Sequence, residues 1–380
     1  MPHALLPNAV DILESLVGFD TTSRDSNLPL IEWVEQYLHR NDVPFQRIAS
    51  HDGKKANLWA TIGEGDGGIV LSGHTDVVPI DGQDWHTPPF TLSIKNDRLY
   101  GRGTSDMKSF IACVLALVPA WKKAPPTLPI HIALSYDEEV GCIGVPHLLS
   151  FVAKQGVKPS IAIIGEPTEM KIVVGHKGIA SYETTFQGIE GHSSDPERGI
   201  NAIEHAARFI AFLETLQTSV KVKQDSSFHP PHTTIHVGVI RGGTARNIIP
   251  RSCYVNWEIR PIIEQDLLDI ESKVAHYQQA LDSELKKKHP EAGVSQKVIS
   301  RNPVLVSQPE FPHQAKIMTV LSTNQTQTIA FYTEGGLFQK SSIPSVVIGP
   351  GSIKQAHAPN EYIEISQIDQ CLSFIEKISY

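Results

Sequence analysis

The feature that most constrains the fold of this sequence is a recurring pair: a short apolar run, then a side chain that can bind a metal ion. The runs have the length and composition of buried strands, and they are Ile69–Leu71, Ile130–Leu134 and Ile161–Ile164. Each run is soon followed by a potential ligand, namely His74, Glu139 and Glu166. In open α/β sheets, ligands bind beyond the carboxyl ends of the strands. The pattern therefore predicts one metal site assembled at the edge of a sheet.

Length, charge and cysteine spacing restrict the class of protein. With 380 residues the chain is too long for one ordinary core, so we expect two domains. A net charge of −8 argues against a nucleic-acid partner. No stretch approaches the roughly 20 apolar residues that span a bilayer, and the N-terminus lacks the pattern of a signal peptide, so we expect no membrane partner. The four cysteines are widely spaced, which favours free, buried thiols in a cytoplasmic protein.

The secondary-structure pattern divides the chain into an α/β domain and an insertion. Before Gly178, strand-like runs alternate with helical apolar spacing, which is typical of a largely parallel sheet. Residues 179–300 follow the order strand, helix, strand, strand, helix, strand, which is the ferredoxin-like arrangement. The α/β pattern resumes after Pro303. We predict an α/β domain formed by residues 1–178 and 301–380, interrupted by an α+β domain at 179–300.

Two constellations in the first half can serve either a metal or the local fold. His74 and Asp76 are one residue apart, so their side chains point to the same side of an extended strand end. His74 would bind metal and Asp76 would orient its ring; the alternative is a structural histidine beside a capping aspartate. Asp106 follows a glycine-containing turn and precedes an apolar helix at Phe110–Leu117. The local pattern alone favours a helix N-cap, and a role as metal ligand is compatible with it because the carboxylate has two oxygens.

Acidic residues and a late loop complete the candidate set. Asp137, Glu138 and Glu139 are consecutive and would repel one another unless cations or protons intervene. Glu139 is a candidate ligand and Glu138 a candidate general base toward an attacking water; the alternative is an acidic surface turn. Glu166 precedes a stiffening proline, and His357 lies in a loop rich in glycine and proline. Two histidines and three carboxylates suit two zinc ions roughly 3.5–4 Å apart with one bridging carboxylate.

Two further motifs carry no function in our interpretation. Gly63–Gly68 fits the dinucleotide pattern G-x-G-x-x-G, but it contains two acids and leads into a strand, so we interpret it as a hairpin turn. Gly191–Asp195 brings serine, histidine and aspartate together, but a G-x-S-x-G nucleophile elbow is missing from the sequence. A serine hydrolase is therefore disfavoured.

These motifs together resemble the di-zinc amidohydrolases and exopeptidases, a family that includes acetylornithine deacetylases, succinyl-diaminopimelate desuccinylases, aminoacylases and carboxypeptidases. The matching stretches run in the family's order across nearly the whole chain. They are Ser72–Pro79, Trp85–Phe90, Leu99–Lys108, Asp137–Gly141, Gly165–Thr168, Gly188–Ser194, Gly242–Pro250 and Glu258–Arg260. The resemblance implies a zinc-exopeptidase-like α/β domain with an inserted lid and dimerisation domain, and therefore a homodimer.

The resemblance also implies how the metals are held. His74 and Glu166 would bind one zinc ion, and Glu139 and His357 the other. Asp106 would bridge both ions, for which cobalt is a possible substitute.

Further roles follow from the same resemblance. Glu138 would act as base and then as acid, and the peptide between Asp106 and Met107 would be cis. His192 of the inserted domain would stabilise the oxyanion. Asn247 and Arg260 would contact the substrate, and an arginine suits a carboxylate; the alternative for Arg260 is a surface salt bridge.

The expected activity is metal-dependent hydrolysis of an N-acyl amino acid. The stretches Tyr332–Gly336 and Gly349–Tyr362 look most like acetylornithine deacetylases. They imply conversion of N2-acetyl-L-ornithine to L-ornithine and acetate, a step of arginine biosynthesis, with Glu334 recognising the cationic side chain. Typical bacterial deacetylases have Ala-Pro where this chain has Gly335-Gly336, so a desuccinylase, a general aminoacylase, or a metallo-dipeptidase or carboxypeptidase stays open. A non-catalytic binding protein is disfavoured because Glu138 and every ligand are present.

Overall fold

The computed structural model describes residues 2–380; Met1, where the predicted catalytic domain begins, lies outside the described residues. The chain divides into two units. The first unit comprises the residues up to Gly175, Ser307–Thr328 and Thr333–Tyr380. The second comprises His176–Val306 and Ile329–Tyr332. The predicted insertion covers 179–300, and no sequence pattern indicated that residues 329–332 belong with it.

The elements of regular structure extend most of the predicted segments by a few residues. The α-helices are α1 (Leu6–Val17), α2 (Leu28–Arg40), α3 (Lys108–Lys123), α4 (Val145–Lys154), α5 (Ala202–Val220), α6 (Glu264–Lys288), α7 (Gln314–Val320), α8 (Gly335–Lys340) and α9 (Ile365–Ser379). The β-strands are β1 (Phe45–Ala49), β2 (Ala56–Ile62), β3 (Ile69–His74), β4 (Ser93–Lys95), β5 (Arg98–Tyr100), β6 (Ile130–Ser135), β7 (Ile161–Ile164), β8 (Val173–His176), β9 (Ile179–Gln187), β10 (Thr234–Gly242), β11 (Ser252–Arg260), β12 (Gly293–Asn302), β13 (Gln327–Ile329), β14 (Ser345–Val347) and β15 (Tyr362–Glu364). The sequence did not predict α4, α8, β1, β4, β5, β8 or β15.

The central sheet has the strand order β1-β2-β6-β3-β7-β14-β8-β13. Its four middle strands, β6, β3, β7 and β14, run parallel, whereas the pairs β1–β2, β2–β6 and β14–β8 are antiparallel. All residues of β3, β6 and β7 are buried, as expected for parallel strands that are covered on both faces. The predicted α/β class with a mostly parallel sheet flanked by helices is confirmed, and the carboxyl ends of its middle strands share one edge.

Helices α1, α3 and α9 contact one another, and α3 also packs on β3. Helix α1 buries Ala9, Ile12, Leu13 and Leu16, a spacing that places them on one face. Helix α3 is apolar nearly all round and is buried along most of its length, so it forms the centre of this layer. Helices α4 and α8 contact each other and other strands of the sheet. Helices thus pack on the strands of the sheet, and the candidate ligands His74, Glu139 and Glu166 lie at or after the carboxyl ends of β3, β6 and β7.

The interpretation of Gly63–Gly68 as a hairpin turn is wrong. The segment connects β2 to β3, but β6 lies between these two strands and pairs with both. Gly68 has a φ of +95°, and a Cβ there would lie 2.4 Å from the carbonyl oxygen of Pro129. Glycine is needed because the backbone crosses close to the start of β6.

The second unit has the predicted ferredoxin-like arrangement. Its strands form an antiparallel sheet in the order β10-β11-β9-β12. Helices α5 and α6 bury apolar side chains in one cluster with the sheet, around Trp257 and Phe209. Helix α5 begins at a capping residue, Asn201, whose side-chain oxygen accepts hydrogen bonds from the main chain of the first turn. Among residues 2–380, no helix is long and apolar enough to cross a membrane.

Candidate metal centre

His74 is the last residue of β3, and its ring is fixed from behind by the main chain. Nδ1 donates a hydrogen bond to the carbonyl oxygen of Asp76 at 2.9 Å, whereas the nearest carboxylate oxygen of Asp76 is 3.6 Å away. This bond fixes the tautomer and leaves Nε2 facing the carboxylates of Asp106 at 3.0 Å and Glu166 at 3.6 Å. His74 is therefore oriented by the backbone of Asp76 rather than by its side chain.

The carboxylate of Asp76 supports the acidic turn after β6. It accepts hydrogen bonds from the main-chain nitrogens of Glu138 at 3.1 Å and Glu139 at 3.2 Å, and from the hydroxyl of Ser23 at 2.6 Å. Asp137, the first acid of the turn, has a φ of +57° and forms an ion pair with Lys55 at 2.5 Å. The turn thus directs one carboxylate to a lysine and leaves the next two for the candidate site.

Asp106 lies between the two histidines. Its Oδ1 is 3.0 Å from Nε2 of His74, and its Oδ2 is 3.4 Å from Nε2 of His357. The helix-cap interpretation of Asp106 is wrong, because the N-cap of α3 is Met107 and no side chain of residues 2–380 caps the helix by a hydrogen bond. The Asp106–Met107 peptide is cis, as the family resemblance implies.

Glu139, Glu166 and His357 complete the cluster. His357, in the loop after β14, has its Nε2 3.0 Å from Oε2 of Glu139. Glu166 follows β7 and is only 4% exposed. The preceding residue, Gly165, lets the backbone before Glu166 pack closely against Phe110, because a Cβ at position 165 would lie 2.0 Å from the ring of Phe110.

The donor set fits two metal ions. Ligand atoms that bind one tetrahedral zinc at about 2.0–2.1 Å lie about 3.3 Å apart. The distances of 3.0–3.6 Å from each histidine to its carboxylates are close to that value. The two carboxylate oxygens of Asp106 face different histidines, Oδ1 facing His74 and Oδ2 facing His357, as expected of a bridging ligand. The ligand atoms of His74, Glu138 and Glu166 also lie within 4.8 Å of one another, so the carboxylate of Glu138 lies beside the same candidate ligands.

The charges of the cluster also call for cations. Burial raises the pKa of Glu138 and of Glu166 well above the ordinary value, and neighbouring carboxylates add to this effect. Burial and the charge of Asp106 raise the pKa of Glu139 to about 7. Hydrogen bonds with Asp106 and Glu139 raise the pKa of His357 to about 10. Acids that resist ionisation beside histidines that hold protons indicate an excess of buried negative charge, which divalent cations would neutralise.

Glu334 is a further buried acid of the same unit. It precedes α8, is 1% exposed, and accepts a 3.3 Å hydrogen bond from the hydroxyl of Ser72 on β3. Burial raises the pKa of Glu334 to about 7, although the Ser135 hydroxyl and His74 oppose the shift. The described residues include no lysine or arginine in an ion pair with Glu334.

The remaining predicted site residues belong to the second unit. His192 is exposed, and its Nδ1 is 2.7 Å from the hydroxyl of Ser194. Asn247 is exposed beside it, since its carbonyl oxygen accepts from the main-chain nitrogen of Ser193 at 3.1 Å. Arg260 forms a two-pronged ion pair with Glu258, with Nε at 2.8 Å from Oε1.

Sequence reasoning missed two residues that support the centre. Ser23 holds the carboxylate of Asp76 from 53 residues away. Glu361 accepts hydrogen bonds from the backbone of the Asp106 loop. The only signal for Glu361 was its position four residues after His357, in the same loop.

Comparisons with known proteins show the family to which this chain belongs. The model of Peptidase family M20/M25/M40 matches residues 70–380. An acetylornithine deacetylase of Proteus mirabilis is 34% identical over 376 residues, which cover 96% of this chain and 94% of that protein. The fold matches a tripeptidase of Staphylococcus aureus with a TM-score of 0.77 at 18% identity, covering 100% of this chain and 98% of the other. It also matches a dinuclear metal-binding peptidase of Bacillus subtilis with a TM-score of 0.68 at 14% identity, covering 99% of each chain. The predicted resemblance is confirmed: this chain is a hydrolase that belongs to Peptidase family M20/M25/M40.

Proposed function

We propose that this protein hydrolyses the amide bond of N2-acetyl-L-ornithine, giving L-ornithine and acetate, with two zinc ions bound per subunit. The observation that carries the hydrolytic part is the position of Asp106 between two histidines, with Glu138 beside the same ligand atoms. The substrate rests on the near full-length similarity to an acetylornithine deacetylase and on the buried acid Glu334.

His74 and Glu166 would hold one cation, Glu139 and His357 the other, and Asp106 both. When bound, such ions polarise an amide carbonyl and lower the pKa of water towards ~7. Zinc suits this mixture of histidine and carboxylate ligands, and cobalt would substitute for it.

Glu138 moves the proton. Glu138 is 6% exposed, and its Oε1 accepts a 3.5 Å hydrogen bond from the thiol of Cys142. Its main-chain nitrogen donates to the carboxylate of Asp76. The raised pKa of Glu138, due first to burial, suits a group that must both accept and return a proton. Glu138 takes a proton from the attacking water and delivers it to the leaving amine nitrogen. Replacing Glu138 by glutamine keeps the shape and should reduce kcat by about 10²–10⁴-fold.

Glu334 would supply substrate selectivity. A carboxylate buried without a basic partner gains most from a cationic ligand, because charge pairing is strong where water is excluded. The δ-ammonium of ornithine is such a ligand. Since Glu334 is 1% exposed, the substrate must displace side chains that cover it.

The test of this assignment compares two substrates on the Glu334→Gln variant. N-acetyl-L-norleucine has a side chain of the same length as that of acetylornithine, but a methyl group replaces the ammonium group at its end. We expect kcat/KM for acetylornithine to fall at least about 10-fold, because one charge-assisted hydrogen bond is worth about 1.5–3 kcal/mol. The kcat/KM for acetylnorleucine should change little. Equal losses on both substrates, or none, would remove Glu334 from substrate recognition.

The inserted domain would act as a lid and as the dimer interface. His192, whose Nδ1 is engaged by Ser194, would direct its other ring nitrogen to the oxyanion, and Asn247 and Arg260 would contact the substrate. The edge strand β10 exposes Val239 and Ile240, and unpaired edges of this kind invite pairing with another chain. Light scattering on the purified protein tests the homodimer, and Val239→Lys should shift it toward monomer.

The alternatives differ in the substrate whose amide bond is hydrolysed. A desuccinylase, a general aminoacylase and a dipeptidase or carboxypeptidase are distinguished by assaying N-acetylornithine, N-succinyl-diaminopimelate, neutral N-acetyl amino acids and dipeptides side by side with zinc or cobalt. The departure Gly335-Gly336 forms the first turn of α8, where a proline is also tolerated, so it does not by itself favour a different substrate. If the protein hydrolyses none of these compounds, the proposed hydrolytic function is contradicted. A cytoplasmic location is also proposed, because all four cysteines are free and buried.

A further inference from the structure

Glu361 is a buried carboxylate that binds the loop carrying Asp106. Its Oε1 accepts hydrogen bonds from the main-chain nitrogens of Ser105 at 2.7 Å and Asp106 at 3.0 Å. Its Oε2 accepts from the main-chain nitrogen of Gly103 at 3.0 Å and from the guanidinium of Arg102 at 2.8 Å. Each oxygen thus has two donors, and Glu361 is 1% exposed.

The same contacts tie this loop to the loop that carries His357. Arg102, itself 1% exposed, donates to the carbonyl oxygen of Ala358 at 3.3 Å and to the side chain of Gln83 at 2.5 Å. Gln83 in turn donates to the carbonyl oxygen of His357 at 2.9 Å. His357 has a φ of +62°, so its backbone needs such support from outside the loop.

A second anchor holds the loop from its exposed side. The side-chain oxygen of Asn360 accepts from the main-chain nitrogen of His86 at 2.7 Å, and its amide nitrogen donates to the carbonyl oxygen of Asp84 at 3.3 Å. Asn360 has a φ of +58°. Asparagine and glycine are the residues that adopt this conformation most readily.

We propose that Glu361 is a positioning residue which fixes Asp106 and His357 relative to each other and thereby sets the affinity of the cation held by Asp106, Glu139 and His357. The inference rests on the proposed two-metal function. The other cation depends less on Glu361, because His74 ends a central strand and Glu166 follows its neighbour β7 closely. We call the cation held by Asp106, Glu139 and His357 the second cation. Of the two, it alone has both a ligand on the Asp106 loop and a ligand on the His357 loop.

Glutamine is the informative replacement for Glu361. It has one oxygen for four donors, and its amide group would face two N–H groups that need an acceptor. We expect Glu361→Gln to lower the affinity for one of the two zinc ions by about 10–100-fold, the range typical of residues that orient metal ligands. The affinity for the other zinc ion should change by less than about 3-fold.

The experiment titrates Zn²⁺ into metal-stripped, full-length protein by calorimetry with a competing chelator. The equivalent that His357→Ala loses identifies the second cation. Glu364→Gln is the matched control, because Glu364 is on the same segment but about half exposed in a pair with Arg98. Selective weakening in Glu361→Gln and not in Glu364→Gln supports the proposal. If Glu361→Gln lowers the affinity for both zinc ions equally, or for neither, the proposal is overturned.

A second variant covers the case in which Glu361→Gln does not fold. Glu361→Asp keeps the charge, but its side chain is one methylene shorter and cannot reach all four donors at these distances. It should weaken the binding of the same second zinc ion, and an unchanged titration overturns the proposal. A wild-type protein that takes up fewer than two equivalents would instead contradict the proposed two-metal function.

Discussion

Replacing Asp76 by asparagine separates two ways in which this residue can support the metal centre. If its carboxylate orients His74, the substitution should weaken metal binding. The structure gives a different expectation, because the main-chain carbonyl of Asp76 holds His74 while the carboxylate binds the turn of Glu138 and Glu139. Asparagine leaves the carbonyl in place and alters the turn.

The magnitude follows from the three hydrogen bonds that the carboxylate of Asp76 accepts. The asparagine oxygen can keep the two at Oδ2, from Ser23 and Glu139, so its amide group then faces the main-chain nitrogen of Glu138. A buried donor left without an acceptor costs about 1–3 kcal/mol, and removing one charge from an acidic cluster offsets part of this. We therefore expect a stability change below about 2 kcal/mol. Displacement of Glu138 by ~1 Å would lower kcat by about 10²-fold.

The assay measures kcat and KM for N-acetylornithine together with Zn²⁺ affinity. We expect the Asp76→Asn variant to bind both metals within about 3-fold of wild type and to lose activity in kcat. Asp81→Asn is the control, since Asp81 is exposed and pairs with Arg24 at the surface. A variant that binds zinc about 10–100-fold more weakly, yet regains full kcat at saturating zinc, would refute this reasoning.

Three further predictions concern packing, metal and pH. Gly165→Ala would place a Cβ 2.0 Å from Phe110, so the free energy of unfolding, measured in urea, should fall by about 1–3 kcal/mol. Adding Phe110→Leu to the same chain should restore part of the lost stability. Chelation of the metals should abolish activity and lower Tm, because cations bind only the folded state; a Tm that zinc does not restore would contradict this. Burial, with the charge of Arg260, lowers the pKa of Lys177 from 10.5 to about 8. Between those values the unfolded chain binds more protons, so wild-type stability should rise with pH and be lost as pH falls through about 8. Lys177→Met should remove that rise in urea unfolding at several pH values, whereas Lys171→Met, at an exposed lysine, should retain it.

The sequence predicted that the candidate ligands lie close together where a local pattern and a topological rule act jointly. His74, Glu139 and Glu166 each follow a buried apolar run, and parallel strands bring such positions to one edge. Asp106 needed the family resemblance, since local pattern alone favoured a helix cap. That cap does not form, because α3 begins at Lys108 and its N-cap position is Met107 rather than Asp106.

Features that depend on distant contacts were missed or misjudged. Glu361 acts on groups 255–258 residues away, and no local signal reports such a contact. The turn at Gly63–Gly68 predicted a hairpin because β6, which separates the two strands, comes much later in the sequence. Helix α8 begins with two glycines, which disfavour helices, and it is stabilised by burial of Phe338. Helix α4 could have been predicted, since its buried residues have ordinary helical spacing.

The place of β14 in the sheet has a consequence for how the protein is made. This strand fits between β7 and β8, yet the ribosome synthesises it only after the whole inserted domain. At ~5–20 residues per second, the nascent chain carries an open slot beside β7 for on the order of 10–40 s. During that interval the slot can accept a strand of another nascent chain, which is a route to aggregation. Because the last metal ligand, His357, emerges only after β14, metal loading becomes complete only when that slot can close.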